Sequence, residues 1–107
     1  MHRDIHDEVV FHALAMHCFQ TVNAAIELGE SLVSEKKLGF PSKYKEIFEL
    51  LFKAKLIGKK TFEQMSRLVY LRNLVAHEYH AITPEELREM TSLLDSLSEL
   101  VQSAKSK

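Results

Sequence analysis

The sequence has little of what interrupts a helix. Its 107 residues include only three glycines and two prolines, the residue types that mark most turns. Their scarcity argues against a fold of many short strands and favours a few long helices. At this length we expect one domain, covering residues 1–107, with one modest core.

Three further absences narrow the class of protein. With one cysteine, Cys18, the chain cannot form an internal disulfide, and the apolar neighbours of that residue predict a buried thiol. The 14 basic and 15 acidic side chains give a formal net charge of −1, so the chain as a whole has no excess positive charge for nucleic acid. No segment resembles a signal peptide, and no apolar run approaches about 20 residues. We therefore expect a cytoplasmic protein with no membrane partner.

Apolar residues that recur every three to four positions predict an all-α fold. The expected architecture is an antiparallel up-and-down bundle of three long helices and one short helix. Capping and helix-stopping residues place the helices at about 4–38, 43–56 and 61–80, with a fourth starting near residue 83. Ser42 is the expected cap of the short helix. Two capping boxes are expected, at Thr61 with Gln64 and at Thr83 with Glu86.

The predicted third helix contains an unusually polar stretch, RNLVAHEYHA, at residues 72–81. At about 100° per residue, Arg72 falls in the middle of an apolar stripe, and Tyr79 lies on nearly the same line. Asn73 and His77 are four residues apart on an adjoining polar stripe and can touch. Burying an unpaired guanidinium costs several kcal/mol. Either a carboxylate from another helix pairs with Arg72, or Arg72 lines a cleft that admits water and anions.

Arg72 and His77 together suit chemistry on a phosphate. The planar guanidinium offers paired donors to phosphate oxygens, and a histidine can transfer protons near neutral pH. Structural interpretations are more common for such residues. An arginine in a core stripe is usually a structural ion pair, a histidine near a helix C-terminus interacts with the helix dipole, and Tyr79 fits a half-buried core position.

The segment RNLVAHEY, residues 72–79, resembles the R-x4-H-x-Y motif of HEPN-domain proteins, within the HepT-like group of toxins from type VII toxin–antitoxin pairs. The resemblance extends over residues 40–87, from FPSKYKEIF to the TPEEL that opens the last predicted helix. It covers the first predicted helix only loosely. Members of the group usually carry another helix before that one, so we expect this chain to lack the family's first helix. A position that is often acidic in the group corresponds loosely to Asn23.

The resemblance implies a metal-independent RNase that needs no cofactor and acts as a homodimer, with the two motifs facing each other across a cleft. Arg72 would then bind the scissile phosphate, and His77 would serve as acid or base in forming a 2′,3′-cyclic phosphate. Asn73 would orient His77 or the phosphate. Tyr79 corresponds to the tyrosine that a nucleotidyltransferase antitoxin modifies with AMP, which would add negative charge beside Arg72. The alternative is a non-catalytic HEPN adaptor that keeps Arg72 and His77 to bind a partner nucleotidyltransferase and a nucleotide or RNA.

Other candidate sites carry less weight. His77 and His80 are three residues apart rather than four and have no evident third ligand, so they do not predict a zinc site. His2 and His6 have a spacing that could hold a metal, but solvated histidines in a first helical turn are the commoner case. The lysines between residues 36 and 60 predict a solvated face or a patch that attracts RNA.

Overall fold

The computed structural model describes residues 8–105, and the side chains of residues 8–97. Over this range the chain forms four α-helices and one short 3₁₀ turn, without a strand. The elements are α1 (Glu8–Glu35), α2 (Tyr44–Lys53), α3 (Lys59–His77), the 3₁₀ turn (Tyr79–Ala81) and α4 (Pro84–Lys105). The prediction of an all-α bundle with three long helices and one short helix is confirmed.

The helix α1 is central, because it packs against α2, α3 and α4. Two contacts give its direction relative to α3. Phe11 near the start of α1 meets Tyr79 just beyond the end of α3, whereas Asn23 further along α1 meets Arg72. Residue numbers rise on one helix as they fall on the other, so α1 and α3 are antiparallel.

An ion pair ties α3 to α4. Arg67 donates from Nε and Nη2 to the two carboxylate oxygens of Glu89, at 2.7 and 2.9 Å. This bidentate geometry fixes the relative height of the two helices. The guanidinium also holds the pKa of the Glu89 carboxyl below its usual value. Both side chains are more than a third exposed. The ion pair therefore contributes little to stability, and its main effect is to align α3 with α4.

One apolar core joins the inward faces of all four helices. Among the side chains that the structure describes, none of the buried ones is charged or polar except Cys18. The Cys18 thiol is buried as predicted, 3.7 Å from the Thr91 hydroxyl, and burial raises its pKa. The buried apolar side chains are those of Ala15, Cys18, Val22, Ile26, Val33, Ile47, Phe48, Leu51, Met65, Leu68, Val69, Leu71, Val75, Ile82, Leu87, Met90 and Leu97.

The helix α1 is also long and apolar enough to cross a membrane, with a mean hydropathy of 1.3 over 18 residues. The sequence analysis did not predict a helix of this hydropathy, because polar residues interrupt every apolar run in α1. Core helices of globular proteins meet the same criteria, and α1 packs here against three other helices. Its buried stripe, which includes Ala15, Val22 and Ile26, faces the bundle core.

A close approach between α1 and α2 depends on Gly29. A Cβ atom at this position would lie 2.9 Å from Ile47 Cγ2 and 3.3 Å from the Phe48 ring. Both neighbours are buried, so neither can move away easily. The absence of a side chain at Gly29 therefore sets the position of α2.

Several predicted helix ends were wrong by a few residues. The first helix stops at Glu35 rather than near residue 38, because Lys37 adopts a left-handed φ of 54°. The second stops at Lys53 because Lys55 has a φ of 64°. The third ends at His77 instead of His80. The predicted start of the first helix, near residue 4, lies outside the described residues.

One of the two predicted capping boxes forms. The Thr83 hydroxyl accepts the backbone N–H of Glu86, and the Glu86 carboxylate accepts the backbone N–H of Thr83. The box at Thr61 does not form, because α3 begins two residues earlier, after Gly58, with no side-chain cap. The prediction that Ser42 caps the short helix is also wrong.

The short helix α2 starts differently from the prediction. Lys43 is the N-cap residue, without a side-chain bond to the helix. Ser42 instead donates its hydroxyl and its backbone N–H to the Glu46 carboxylate. These hydrogen bonds hold the pKa of the Glu46 carboxyl below its usual value.

The two threonines make a matched test of the capping geometry. Thr83→Ala removes the cap of α4 and should lower the free energy of unfolding by about 1 kcal/mol. Thr61→Ala changes a position in the first turn of α3, where the side chain caps nothing, and should be neutral or slightly stabilising, because alanine is the better helix former. Urea denaturation at equal protein concentration measures both. Equal losses for the two variants would contradict the observed start of α3.

Candidate functional site

Three helices hold the Arg72 guanidinium. Its Nε donates to Asn23 Oδ1 on α1 at 2.8 Å, and its Nη1 donates to Asn73 Oδ1 on α3 at 3.0 Å. Its Cζ lies 4.8 Å from the ring centre of Phe19 on α1 and 5.0 Å from that of Tyr44 on α2. Both rings are within the distance at which a cation is attracted to an aromatic face. The half-buried guanidinium therefore has a fixed orientation.

No carboxylate pairs with Arg72 among the side chains that the structure describes; the ion pairs there are Lys59–Glu63 and Arg67–Glu89. Amide oxygens accept hydrogen bonds without cancelling the positive charge. The two bonds to Asn23 and Asn73 use two of the five guanidinium N–H groups, so three remain for water or a ligand. Of the two outcomes expected for Arg72, the structure supports the open cleft rather than the ion pair.

The cleft lies between the start of α2 and the second half of α3 and has a volume of about 790 Å³. Lys43, Lys45 and Arg72 border it, together with His77, and none of the carboxylates in the described part of the chain does so. The Ser66 hydroxyl oxygen, also at the cleft, is buried without a hydrogen-bond partner in the described part of the chain. The lining residues are Ser42, Lys43, Tyr44, Lys45, Ser66, Val69, Tyr70, Arg72, Asn73, Ala76 and His77. The cleft is thus locally positive although the chain is not.

His77 and Asn73 both border the cleft and are exposed. His77 is the last residue of α3, so its imidazole lies where the helix ends and solvent begins. The Asn73 amide oxygen is engaged by Arg72. In this structure Asn73 therefore orients the guanidinium, and its contact with a phosphate or with His77 stays a prediction.

Tyr79 lies outside this cleft. The helical wheel placed it beside Arg72 on the assumption that α3 continues to His80, but α3 ends at His77 and Tyr79 opens the 3₁₀ turn. That placement was wrong. The Tyr79 hydroxyl is 3.3 Å from His12 Nδ1, in a separate depression near the start of α1. Burial, and to a lesser degree the Glu8 carboxylate, raises the pKa of Tyr79.

The two locations lie along the same side of α1. His12, which meets Tyr79, and Phe19, which meets Arg72, are seven residues apart on that helix. Seven residues make two helical turns, or about 10 Å. Tyr79 is therefore a near neighbour of the cleft rather than part of it.

The histidines do not form a metal cluster in the described residues, where no three side chains of His, Cys, Asp or Glu converge. His77 ends α3, whereas His80 belongs to the 3₁₀ turn. His2 and His6 lie outside the described residues.

Sequence reasoning missed four aromatic side chains at these locations. Phe19 and Phe11 carry no signal in the sequence beyond their apolar character, yet they pack against Arg72 and Tyr79. Tyr44 carried no local signal, because its role depends on how α2 docks. At about 100° per residue Tyr70 falls on the same side of the predicted third helix as Asn73, which is the one indication that the sequence offers.

The sequence matches the Ribonuclease HepT-like family over residues 3–104. The chain therefore belongs to the HepT-like ribonuclease family, as the R-x4-H-x-Y motif indicated. No curated protein matches it significantly.

Two solved structures share the fold. One is the cytosolic protein of unknown function YutE from Bacillus subtilis, with a TM-score of 0.80 and 17% identity over 97% of this chain and 76% of that chain. The other is a toxin–antitoxin structure with AMP-PNP, with a TM-score of 0.71 and 18% identity over 88% of this chain and 77% of that chain. At such identities the similarity concerns the fold.

The anchoring of Arg72 gives a prediction for its two amide partners. Asn23→Ala leaves the half-buried Nε–H without its acceptor and should lower the free energy of unfolding by about 1 kcal/mol. Asn73→Ala should cost less, because water can replace this exposed acceptor. Urea denaturation of both variants measures the difference. A larger loss for Asn73→Ala would contradict the assigned geometry.

Proposed function

We propose that this protein is the RNase toxin of a toxin–antitoxin pair, cleaving RNA at the Arg72–His77 cleft by attack of a ribose 2′-hydroxyl. The observation that carries the proposal is the charge of the cleft. Lys43, Lys45 and Arg72 supply three positive charges with no carboxylate among the lining residues, and His77 stands beside them. This combination suits a polyanion whose phosphate reacts through proton transfer.

Arg72 serves as the phosphate clamp in this mechanism. Its charge is not cancelled by a neighbouring carboxylate, and its orientation is fixed by Asn23 and Asn73. The remaining N–H groups can donate to the phosphate oxygens, where negative charge grows as the 2′-oxygen attacks. Donors that are already oriented need no rearrangement at that moment, which is the main source of such stabilisation.

His77 serves in proton transfer. The 2′-oxygen forms a bond to phosphorus while the bond to the 5′-oxygen breaks, leaving a 2′,3′-cyclic phosphate and a 5′-hydroxyl. One proton leaves the 2′-hydroxyl and another reaches the 5′-oxygen, so the reaction needs a base and an acid. One imidazole performs one of these transfers. A homodimer with facing clefts would supply a second His77, and we include that dimer in the proposal.

The role of His77 can be tested against a matched histidine. His77→Ala should slow single-turnover cleavage of single-stranded RNA by about 10²- to 10⁴-fold and leave RNA affinity nearly unchanged. His80→Ala, at an exposed position outside the cleft, should have no effect on the rate. Cleavage is expected in the presence of EDTA.

Two results would count against this mechanism. Cleavage by His77→Ala at the unaltered rate would favour the non-catalytic adaptor that binds a nucleotidyltransferase and a nucleotide or RNA. Cleavage that stops with EDTA and returns with Mg²⁺ would exclude the metal-independent route.

Tyr79 is the proposed target of a nucleotidyltransferase antitoxin in the cytoplasm. One structural neighbour is a toxin–antitoxin structure with AMP-PNP, and Tyr79 of this chain borders a surface depression that a partner could reach. An AMP group there would add negative charge about two turns of α1 from Arg72. It would reach toward the cleft and repel the RNA backbone.

Tyr79→Phe separates modification from cleavage. The variant keeps the ring contact with Phe11 and loses only the hydroxyl, so RNA cleavage should stay unchanged. Transfer of AMP by the partner enzyme, followed by mass spectrometry, should be abolished. AMP found at another residue of Tyr79→Phe would refute the assignment.

A further inference from the structure

Tyr70 is an exposed aromatic side chain with no packing role that accounts for it. Half of its surface is exposed, at 50%, and it borders the same cleft as Arg72 and His77. The Arg67 guanidinium lies 5.1 Å from its ring centre and is itself held by Glu89 through two hydrogen bonds. Arg67 is not among the residues that border the cleft. The ring is therefore supported from outside the cleft while its own surface contributes to the lining.

Tyr70 lies on α3 close to the residues that are proposed to act on the RNA. Tyr70, Asn73 and His77 are spaced by three and four residues, which places them on one face of the helix. The helical rise separates Tyr70 from Asn73 by about 4.5 Å and from His77 by about 10 Å along the axis. If Arg72 held a phosphate, the nucleotide attached to that phosphate would be within reach of Tyr70. Tyr70 lies on the opposite side of Arg72 from His77.

We infer that Tyr70 is a stacking surface for an unpaired nucleobase next to the phosphate that Arg72 holds. This inference rests on the proposed RNA cleavage and assigns a nucleotide-binding subsite to the same cleft. Single-stranded RNA offers unstacked bases that pack on aromatic side chains, whereas a duplex keeps its bases stacked inside. The subsite therefore favours single-stranded RNA, and it tolerates different bases because each has a flat π-face.

The test compares three substitutions of Tyr70 in the His77→Ala background, where RNA is not consumed. The probe is a single-stranded RNA oligonucleotide in EDTA, with affinity measured by fluorescence anisotropy. Tyr70→Ala should weaken binding by about 5- to 100-fold. Tyr70→Leu should lose affinity similarly, because it keeps apolar bulk without a ring. Tyr70→Phe should bind like the parent, because it keeps the ring.

Phe40→Ala is the matched control, because Phe40 is fully exposed and does not border the cleft; its RNA affinity should be unchanged. A second readout places 2-aminopurine at successive positions of the RNA. One position should be quenched by the parent protein and by Tyr70→Phe, and not by Tyr70→Ala.

The outcomes separate the subsite from the proposed function. If the protein with His77 intact cleaves the RNA but Tyr70→Ala binds as well as Tyr70→Phe, the subsite is wrong and the ribonuclease stands. If Tyr70→Ala loses affinity but the intact protein never cleaves, the ribonuclease is wrong and the subsite stands. Loss of affinity together with a halved mass by light scattering would show that Tyr70 is a dimer contact and would overturn the inference.

Discussion

The positive charge of Arg72 is the constraint on which this site depends. A half-buried guanidinium would ordinarily pair with a carboxylate, because leaving it unpaired costs several kcal/mol. Here two amide oxygens and two aromatic faces orient it instead. These contacts recover part of the lost hydration while leaving the charge uncancelled. The fold thus keeps an oriented, positively charged group at the wall of an open cleft.

The packing of the helices produces this arrangement. The contacts of the guanidinium come from three helices, so its position depends on how those helices dock. Asn23 and Phe19 belong to α1, Tyr44 to α2 and Asn73 to α3. Gly29 lets α2 approach α1 closely. That approach brings the start of α2, with its two lysines, to the edge of the cleft. The result is a positive surface on a chain whose net charge is −1.

The features that the sequence predicted correctly are those that depend on residues close together in the chain. Apolar spacing indicated the four helices, and the Thr83–Glu86 box formed because α4 begins where the sequence placed its start. The Thr61 box failed because α3 begins earlier, at Lys59, with Gly58 as its N-cap residue. Tyr79 was misplaced for a similar reason, since a helical wheel does not show where a helix ends.

The motif indicated candidate site residues, but not what surrounds them. Arg72 and His77 were identified from RNLVAHEY, and the structure brings both to one cleft. Whether Arg72 would pair with a carboxylate could not be decided from α3 alone, because its partners Phe19, Asn23 and Tyr44 lie on other helices. Long-range docking determines those contacts, and a single sequence carries little information about it.

Single-turnover RNA cleavage by Arg72→Lys shows whether the reaction needs an oriented guanidinium at this position. Lysine keeps the positive charge but has only three donors, all on one atom, so bonding both amides would leave at most one donor for a phosphate, without the planar fork. We expect a loss of about 100-fold or more, approaching that of Arg72→Ala. Cleavage by Arg72→Lys at close to the unaltered rate would show that a point charge suffices and would contradict the oriented clamp.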